Sequence, residues 1–315
     1  MTSVGLAGFG SAGRGIHAPL LQEAGMMIVA VSTADPQRAQ HVHDDAPGAR
    51  VVADLDALLG VAGLDLIVLA TPSGLHAGQA RQCIDAGIAV VVDKPLATDA
   101  TRAFGVVDAA RAAGVAMTVF QNRRFDAEHV AARETVRSGR LGEVFRHEFR
   151  WERWRPMPKD RWRENASAAE GGGILLDLHS HMVDAAVDLF GPIDMVYAEI
   201  AARTTASEDD AFLACRHTSG VMSHLGATSL SAAPGPRVRI LRATRCVRTE
   251  RVRGRWHRHL SRPGQRRRRA LWMDLRGRAA DTGAPTCRRS GRLLSPGEGS
   301  TCHAGSSGRH AGRPV

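Results

Sequence analysis

Val4-Gly5-Leu6-Ala7-Gly8-Phe9-Gly10-Ser11-Ala12-Gly13 stands near the head of this 315-residue chain, and its reading decides the fold. Residues 4–7 form a short apolar, strand-like run. Three glycines at Gly-x-Gly-x-x-Gly spacing follow, and a segment of helical length comes next. In that context the glycines allow a tight turn and let the main chain approach a pyrophosphate, whose charge the next helix N-terminus stabilises. Gly8, Gly10, Ser11, Ala12 and Gly13 are therefore the expected cofactor contacts.

Outward from this loop, apolar runs recur at residues 26–31, 64–70, 88–92 and 115–120. Ala-rich stretches of helical length separate them, for example residues 76–86 and 99–113. Continuous apolar strands alternating with helices predict a parallel sheet covered on both faces, an α/β Rossmann domain over residues 1–120. Past Gln121 the rhythm changes. Residues 125–138 read as a helix. Residues 142–154 alternate, with Val144, His147, Phe149 and Trp151 among Arg and Glu, as a half-exposed strand would. Residues 174–190 predict a long amphipathic helix, and 195–204, 211–217 and 221–227 predict strands. Strands this close together, with few helices, point to an antiparallel or mixed sheet in a second domain over residues 121–236.

Composition narrows the class. Hydrophobic residues make up 43% and aromatics only 4%, so the core is aliphatic. No apolar run approaches the roughly 18–20 residues of a membrane span. Met1-Thr2-Ser3 carries no basic region before an apolar stretch, so no secretory leader is expected. Five scattered cysteines make neither a disulfide framework nor a CxxC pair, and a cytoplasmic location is expected. The net charge of +10 is unevenly placed: residues 1–236 carry 19 Arg and 2 Lys against 28 acids, whereas residues 237–315 carry 21 Arg against 4 acids. The basic character belongs to the last quarter alone.

The chemistry gathers at strand ends. An NAD enzyme usually carries an acid after its second strand for the ribose hydroxyls. Here Thr33 takes that position, and a hydroxyl does not repel a 2′-phosphate. Arg38 is near in sequence, and Asp35 reads better as a helix cap. NADP is therefore expected over NAD. Thr71-Pro72 ends an apolar strand where open parallel sheets bind ligands, and His76 starts the next helix. Asp93-Lys94-Pro95 ends another. Lys94 is one of two lysines in a chain with 40 arginines, and its ammonium can donate to a substrate oxygen. After Gly171-Gly172-Gly173, Asp177 and His181 stand at i and i+4, a spacing that shares one helix face and lets a carboxylate orient an imidazole for proton transfer. His179 falls on another face, and no set of metal-ligand spacings is present, so no metal is expected.

Together these motifs resemble the glucose–fructose oxidoreductase / inositol dehydrogenase / MocA-like family of NAD(P)-dependent oxidoreductases. Gly8 through Gly13, Ala70-Thr71-Pro72 with His76, Asp93-Lys94-Pro95, Gln121-Asn122-Arg123-Arg124-Phe125-Asp126, Arg161-Trp162-Arg163 and Gly171 through His181 appear in the family's order. The Asn-Arg-Arg-Phe-Asp and Arg-Trp-Arg pieces look most like NADP-dependent scyllo-inositol dehydrogenases. The resemblance implies an α/β Rossmann domain followed by an α+β domain with an open, mostly antiparallel sheet, reversible oxidation of a secondary alcohol on a sugar or cyclitol, and a homodimer formed through that sheet. It also implies Lys94 polarising the reacting oxygen, His181 as acid/base and Asp177 as its partner. Asp93 and Asn122 would lie on the cofactor, and Arg163, with Lys94 and His181, on the substrate. Asp93 replaces the usual Glu, and His179 replaces a usual Gly.

The resemblance stops near Pro236. Beyond it the chain is rich in Arg, Gly and Pro, lacks Lys, Asn and Tyr, and holds Cys246, Cys287 and Cys302. That is the composition of a GC-rich gene read out of frame, so residues 237–315 are expected to be a frameshifted or disordered basic tail, with the preceding sheet incomplete. With Trp256 and Trp272 as its only aromatics, the tail lacks the stacking residues of a nucleic-acid arm. The rival function is a catalytically impaired dinucleotide-binding protein whose tail binds polyanions.

Overall fold

A computed structural model describes residues 1–158, 161–242, 246–252 and 255–261, the last two stretches as backbone strands. The first apolar runs form β1 (Ser3–Ala7), β2 (Met27–Ser32), β3 (Arg50–Val52), β4 (Leu66–Leu69), β5 (Ala89–Asp93) and β6 (Met117–Phe120). They lie in the order β3-β2-β1-β4-β5-β6, every neighbouring pair parallel. The order reverses between β1 and β4, which opens a ligand crevice at their carboxyl ends. The helices α1 (Ala18–Glu23), α2 (Pro36–Asp45), α3 (Leu55–Leu59), α4 (His76–Asp85) and α5 (Ala100–Ala113) connect the strands. Asp35, Asp54 and Asp99 cap α2, α3 and α5, each accepting a bond from the third backbone N–H onward. Separate apolar clusters around Leu69 and Val92 and around Leu6 and Val31 bury the sheet on both faces. Five strands were expected here and six are present. The missing one, β3, is a three-residue edge strand, too short to show a period.

The second domain comprises α6 (Ala127–Arg137), β7 (Val144–Glu152), α7 (Trp162–Asn165), α8 (Ser180–Phe190), β8 (Ile193–Ala201), β9 (Asp210–His217), β10 (Met222–Thr228), β11 (Val238–Arg242), β12 (Cys246–Val252) and β13 (Arg255–Ser261). The sheet order is β13-β12-β11-β7-β10-β9-β8, and only β7 and β10 run parallel. Phe149, Trp151, Met182, Phe190, Leu225 and Ile240 share one core, where α8 packs over the sheet. The helix expected over residues 174–190 is interrupted at its start: Leu175–His179 is a π turn, and regular α-helix begins only at Ser180.

The boundary expected at 236/237 falls inside this sheet. In β11, Val238 stands opposite Phe149 and Ile240 opposite His147, and both side chains are buried in the core. Arg239, on the other face, pairs with Glu148 at 2.7 Å. Val-Arg-Ile is thus a half-buried strand whose period is two, with Arg239 on the face away from the core. Residues 262–315 of the expected tail lie outside the described residues. Among the described residues no helix is long and apolar enough to cross a membrane.

Candidate active site

The loop after β1 folds back on itself. Gly8 has φ +91°, and a Cβ there would sit 2.7 Å from the carbonyl oxygen of Ala70 at the end of β4. A Cβ on Gly13 would overlap the Gly8 carbonyl, whereas Gly10 has open space around it. Side chains at the two outer positions would push the loop off the sheet, and the middle glycine presents bare backbone. A π turn, Gly13–His17, leads into α1. The adjoining cleft is lined by Phe9, Gly10, Ser11, Arg14, Asp35 and Arg38, among others. The Asp35 carboxylate accepts from the Arg38 N–H at 3.0 Å and lies 3.6 Å from the Arg38 guanidinium, so it is committed to capping α2. The Thr33 hydroxyl accepts from the Asp35 N–H at 3.3 Å. Bare backbone at the turn and a hydroxyl rather than a free carboxylate after β2 fit a dinucleotide. Arg14, held 2.5 Å from Asp45, is a cation of this cleft that the sequence reading missed, although it directly follows the third glycine.

The loops after β4 and β5 are braced by His76. Its Nδ1 is 2.7 Å from the Pro95 carbonyl, its Nε2 is 2.9 Å from the Thr71 carbonyl, and the residue is 1% exposed. Facing two carbonyl oxygens, of which a neutral imidazole can donate to one, the His76 ring ties the Thr71 and Pro95 loops together. The Thr71 hydroxyl donates to Gln79 Oε1 at 2.5 Å, and Pro72 leads into the turn Ser73–Leu75. Asn122 opens a turn, Asn122–Phe125, just past β6, on the same carboxyl edge of the sheet.

The second domain reaches this edge through its glycine segment. A Cβ on Gly172 would overlap the Ala166 carbonyl, so the chain packs there backbone to backbone. The π turn that follows places Asp177 against Lys94: Nζ donates to Oδ1 at 3.0 Å and to the Asp177 carbonyl at 2.5 Å. Arg163 Nε lies 3.6 Å from the same Oδ1. The expected pairing of Asp177 with His181 is not made. The Asp177 carboxylate is engaged by Lys94 and Arg163, and no hydrogen bond or ion pair joins it to His181 among the described residues. Instead His181, 6% exposed, stacks beside Trp151 with ring centroids 6.0 Å apart, and its Nδ1 is buried with no hydrogen-bond partner among the described residues. The same turn directs His179 inward, where Nε2 meets the Leu225 carbonyl at 3.2 Å, so the side chain in place of the usual glycine points into the sheet.

Burial pushes the His181 imidazole down to about 3, helped by the charges of Lys94 and Arg123, so the ring is neutral. Burial also drives Lys94 below its ordinary value, against the pull of Asp177. For Asp177 burial works upward, but Lys94 and Arg163 outweigh it and hold the carboxyl below its usual range. Asp93 behaves alike: burial is outweighed by His17, whose Nε2 is 3.8 Å away, and by the Lys94 N–H, which donates at 2.8 Å. His17 ends the π turn of the glycine loop, and its ring lies tilted against Phe120 with centroids 4.6 Å apart. Sequence reading missed it, because a lone histidine four residues past the glycines has no motif of its own. Around Trp151 stand the guanidinium groups of Arg237 at 3.6 Å, Arg123 at 5.2 Å and Arg153 at 5.4 Å. Among the described residues no group of three His, Cys, Asp or Glu is placed to hold a metal ion.

Residues 2–121 match the model of the oxidoreductase family, NAD-binding Rossmann fold, and residues 129–244 match that of the GFO/IDH/MocA C-terminal domain. The uncharacterized oxidoreductase YdgJ of Escherichia coli is 35% identical over 74% of this chain and 67% of its own length. The scyllo-inositol 2-dehydrogenase (NADP(+)) IolW of Bacillus subtilis is 32% identical over 75% of this chain and 65% of its own length. The chain thus spans about two thirds of the length of these relatives. Among solved structures, the WlbA dehydrogenase from Bordetella pertussis in complex with NADH and UDP-GlcNAcA is 30% identical, with a TM-score of 0.70 over 78% of each chain.

Proposed function

The chain belongs to the GFO/IDH/MocA oxidoreductase family, and from that premise we propose that it is an NADP-preferring dehydrogenase of a secondary alcohol on a sugar or cyclitol. The nicotinamide, when bound, supplies the hydride-accepting and hydride-donating carbon. Gly8, Gly10, Ser11, Ala12 and Gly13 hold the pyrophosphate. Thr33 and Arg38 face the adenosine ribose, and Thr71, Pro72, Asp93 and Asn122 border the remainder. Lys94 donates to the reacting oxygen and holds its developing charge. Neutral His181 takes the hydroxyl proton on oxidation and returns it on reduction. Arg163 orients the substrate. Asp177 positions Lys94. The relatives' printed activities, inositol oxidation for IolW and a nucleotide-sugar acid bound by WlbA, support a polyol substrate. The outward side chains of β8 form a homodimer contact, and the protein acts in the cytoplasm.

One observation carries this reading: the Lys94–Asp177 contact brings the two domains together at the sheet edge that also bears the glycine loop, with a buried neutral histidine close enough to feel both charges. The test is turnover of inositols and aldoses with NADP+ and with NAD+, followed by the appearance of reduced nicotinamide. Lys94→Met and His181→Asn are each expected to lower kcat/KM by about 10²–10⁴-fold while NADPH binding stays within a few-fold. Absence of turnover with every polyol and both cofactors would sink the reading.

A further inference from the structure

Arg153 follows β7 and lies half-buried beside Trp151, the ring that also carries His181. Three other cations of this region have carboxylates of their own: Arg123 pairs with Asp126 at 3.0 Å, Arg161 with Glu164, and Arg237 with Glu128 at 3.4 Å. Asp177 is shared by Lys94 and Arg163. Among the described residues Arg153 has no carboxylate within ion-pair reach. The charges it feels are those of Arg155, Arg161 and Arg123, opposed by the already engaged Asp177. Together with burial they lower its affinity for its own proton. A half-desolvated guanidinium surrounded by other cations is costly unless an anion meets it.

We propose that the substrate carries an anionic substituent, a carboxylate or a phosphate, and that Arg153 receives it. This inference rests on the proposed dehydrogenase reading and narrows its substrate from polyols in general to acidic ones. The geometry supports the substrate rather than the cofactor as the source of the anion. The pyrophosphate belongs to the glycine loop after β1, whereas Arg153 projects from the second domain on the ring against which His181 stacks. A hydroxyl presented to His181 and an acid presented to Arg153 are then separated by no more than those two contacts with one indole, 6.0 and 5.4 Å. Guanidinium is suited to the task, since its planar fork meets carboxylate or phosphate through two bonds.

The experiment uses the whole chain loaded with NADP+ and ring-matched triplets: hexose, hexuronate and hexose 6-phosphate in the gluco, galacto and manno configurations. Calorimetry measures binding, and turnover is followed in parallel. In at least one triplet an acidic member is expected to bind about tenfold or more tightly than the neutral sugar, the arm that gains identifying carboxylate or phosphate. Arg153→Gln should collapse that ratio towards one, Arg153→Lys should retain most of it, and added salt should diminish it. Neutral sugars binding as well as both acids in every triplet, no binding by any member, or a ratio unmoved by Arg153→Gln each overturn the proposal. Acids that bind through Arg153 without being oxidised leave it standing and defeat the dehydrogenase reading. Neutral sugars oxidised while the acids are ignored do the opposite.

Discussion

Asp177 and His181 stand four positions apart, a spacing that on an α-helix would set carboxylate beside imidazole. In the structure Asp177, within the π turn Leu175–His179, meets Lys94 instead, so its charge acts on the lysine. Because the Asp177 charge raises the Lys94 proton affinity, Asp177→Asn should let Lys94 lose its proton at lower pH. The alkaline limb of a kcat/KM–pH profile is then expected to move to lower pH while the acid limb, set by His181, moves less. An alkaline limb that stays in place would remove Asp177 from the control of Lys94. Lys94 was legible because lysine is rare here. Arg153 and Arg14 were not, because arginine is this chain's ordinary cation and one more gives no contrast. His147 was read as one buried position of an alternating strand, and its chemistry appears only in three dimensions. It is 1% exposed, its Nδ1 lies 3.1 Å from the Ser223 hydroxyl, and that hydroxyl also meets His217 Nε2 at 2.8 Å. Burial, reinforced by His217 and His129, pushes His147 down to about 3 from 6.5. Between those values the unfolded chain binds a proton that the fold refuses, so stability falls as pH drops through that window, by about 1.4 kcal/mol per pH unit for one such group. Urea midpoints at about pH 7 and about pH 5 should therefore differ less in His147→Met than in the parent, even though the variant loses the bond to Ser223.

At the scale of elements, strands buried on both faces were the easiest to read, since β1, β2, β4 and β5 are continuous apolar runs with no competing period. Several elements escaped. β3 is too short, and the two π turns differ from α-helix only in hydrogen-bond register, which residue type does not announce. β11 was hidden by composition. Its Val238 and Ile240 alternate with arginines that serve Glu148 and solvent, and an average over the segment looks like a basic tail. The strand makes a direct claim on stability. Ile240 is 1% exposed in the core that holds Phe149 and Leu225, so Ile240→Ala should cost about 2–4 kcal/mol in equilibrium unfolding. A loss near zero would mean that residues past 236 do not contribute to the sheet.

For the whole molecule, the division of charge was legible and its meaning was only partly so. The change of composition after residue 236 is real, yet the family match runs to residue 244 and β11 packs in the core, so composition changes before the fold does. The opposite side of the same sheet poses the assembly question. β8 is the far edge strand, and Met195, Val196, Tyr197 and Ile200 along it are all exposed, Tyr197 at 58%. Exposed apolar side chains grouped along an unpaired edge are a liability for a monomer and a ready surface for a partner. A second copy offers the same strand, and a two-fold arrangement covers both at once. Light scattering on the purified chain is therefore expected to give twice the chain mass. The paired substitution Val196→Asp and Ile200→Asp, which places two carboxylates where a dimer would desolvate them, should shift the population to monomer by at least about tenfold in dissociation constant. Neither residue belongs to the buried core, so the thermal transition of the variant monomer should stay cooperative. A parent chain that is already monomeric at micromolar concentration would remove the dimer from the proposed function and leave the active-site chemistry untouched.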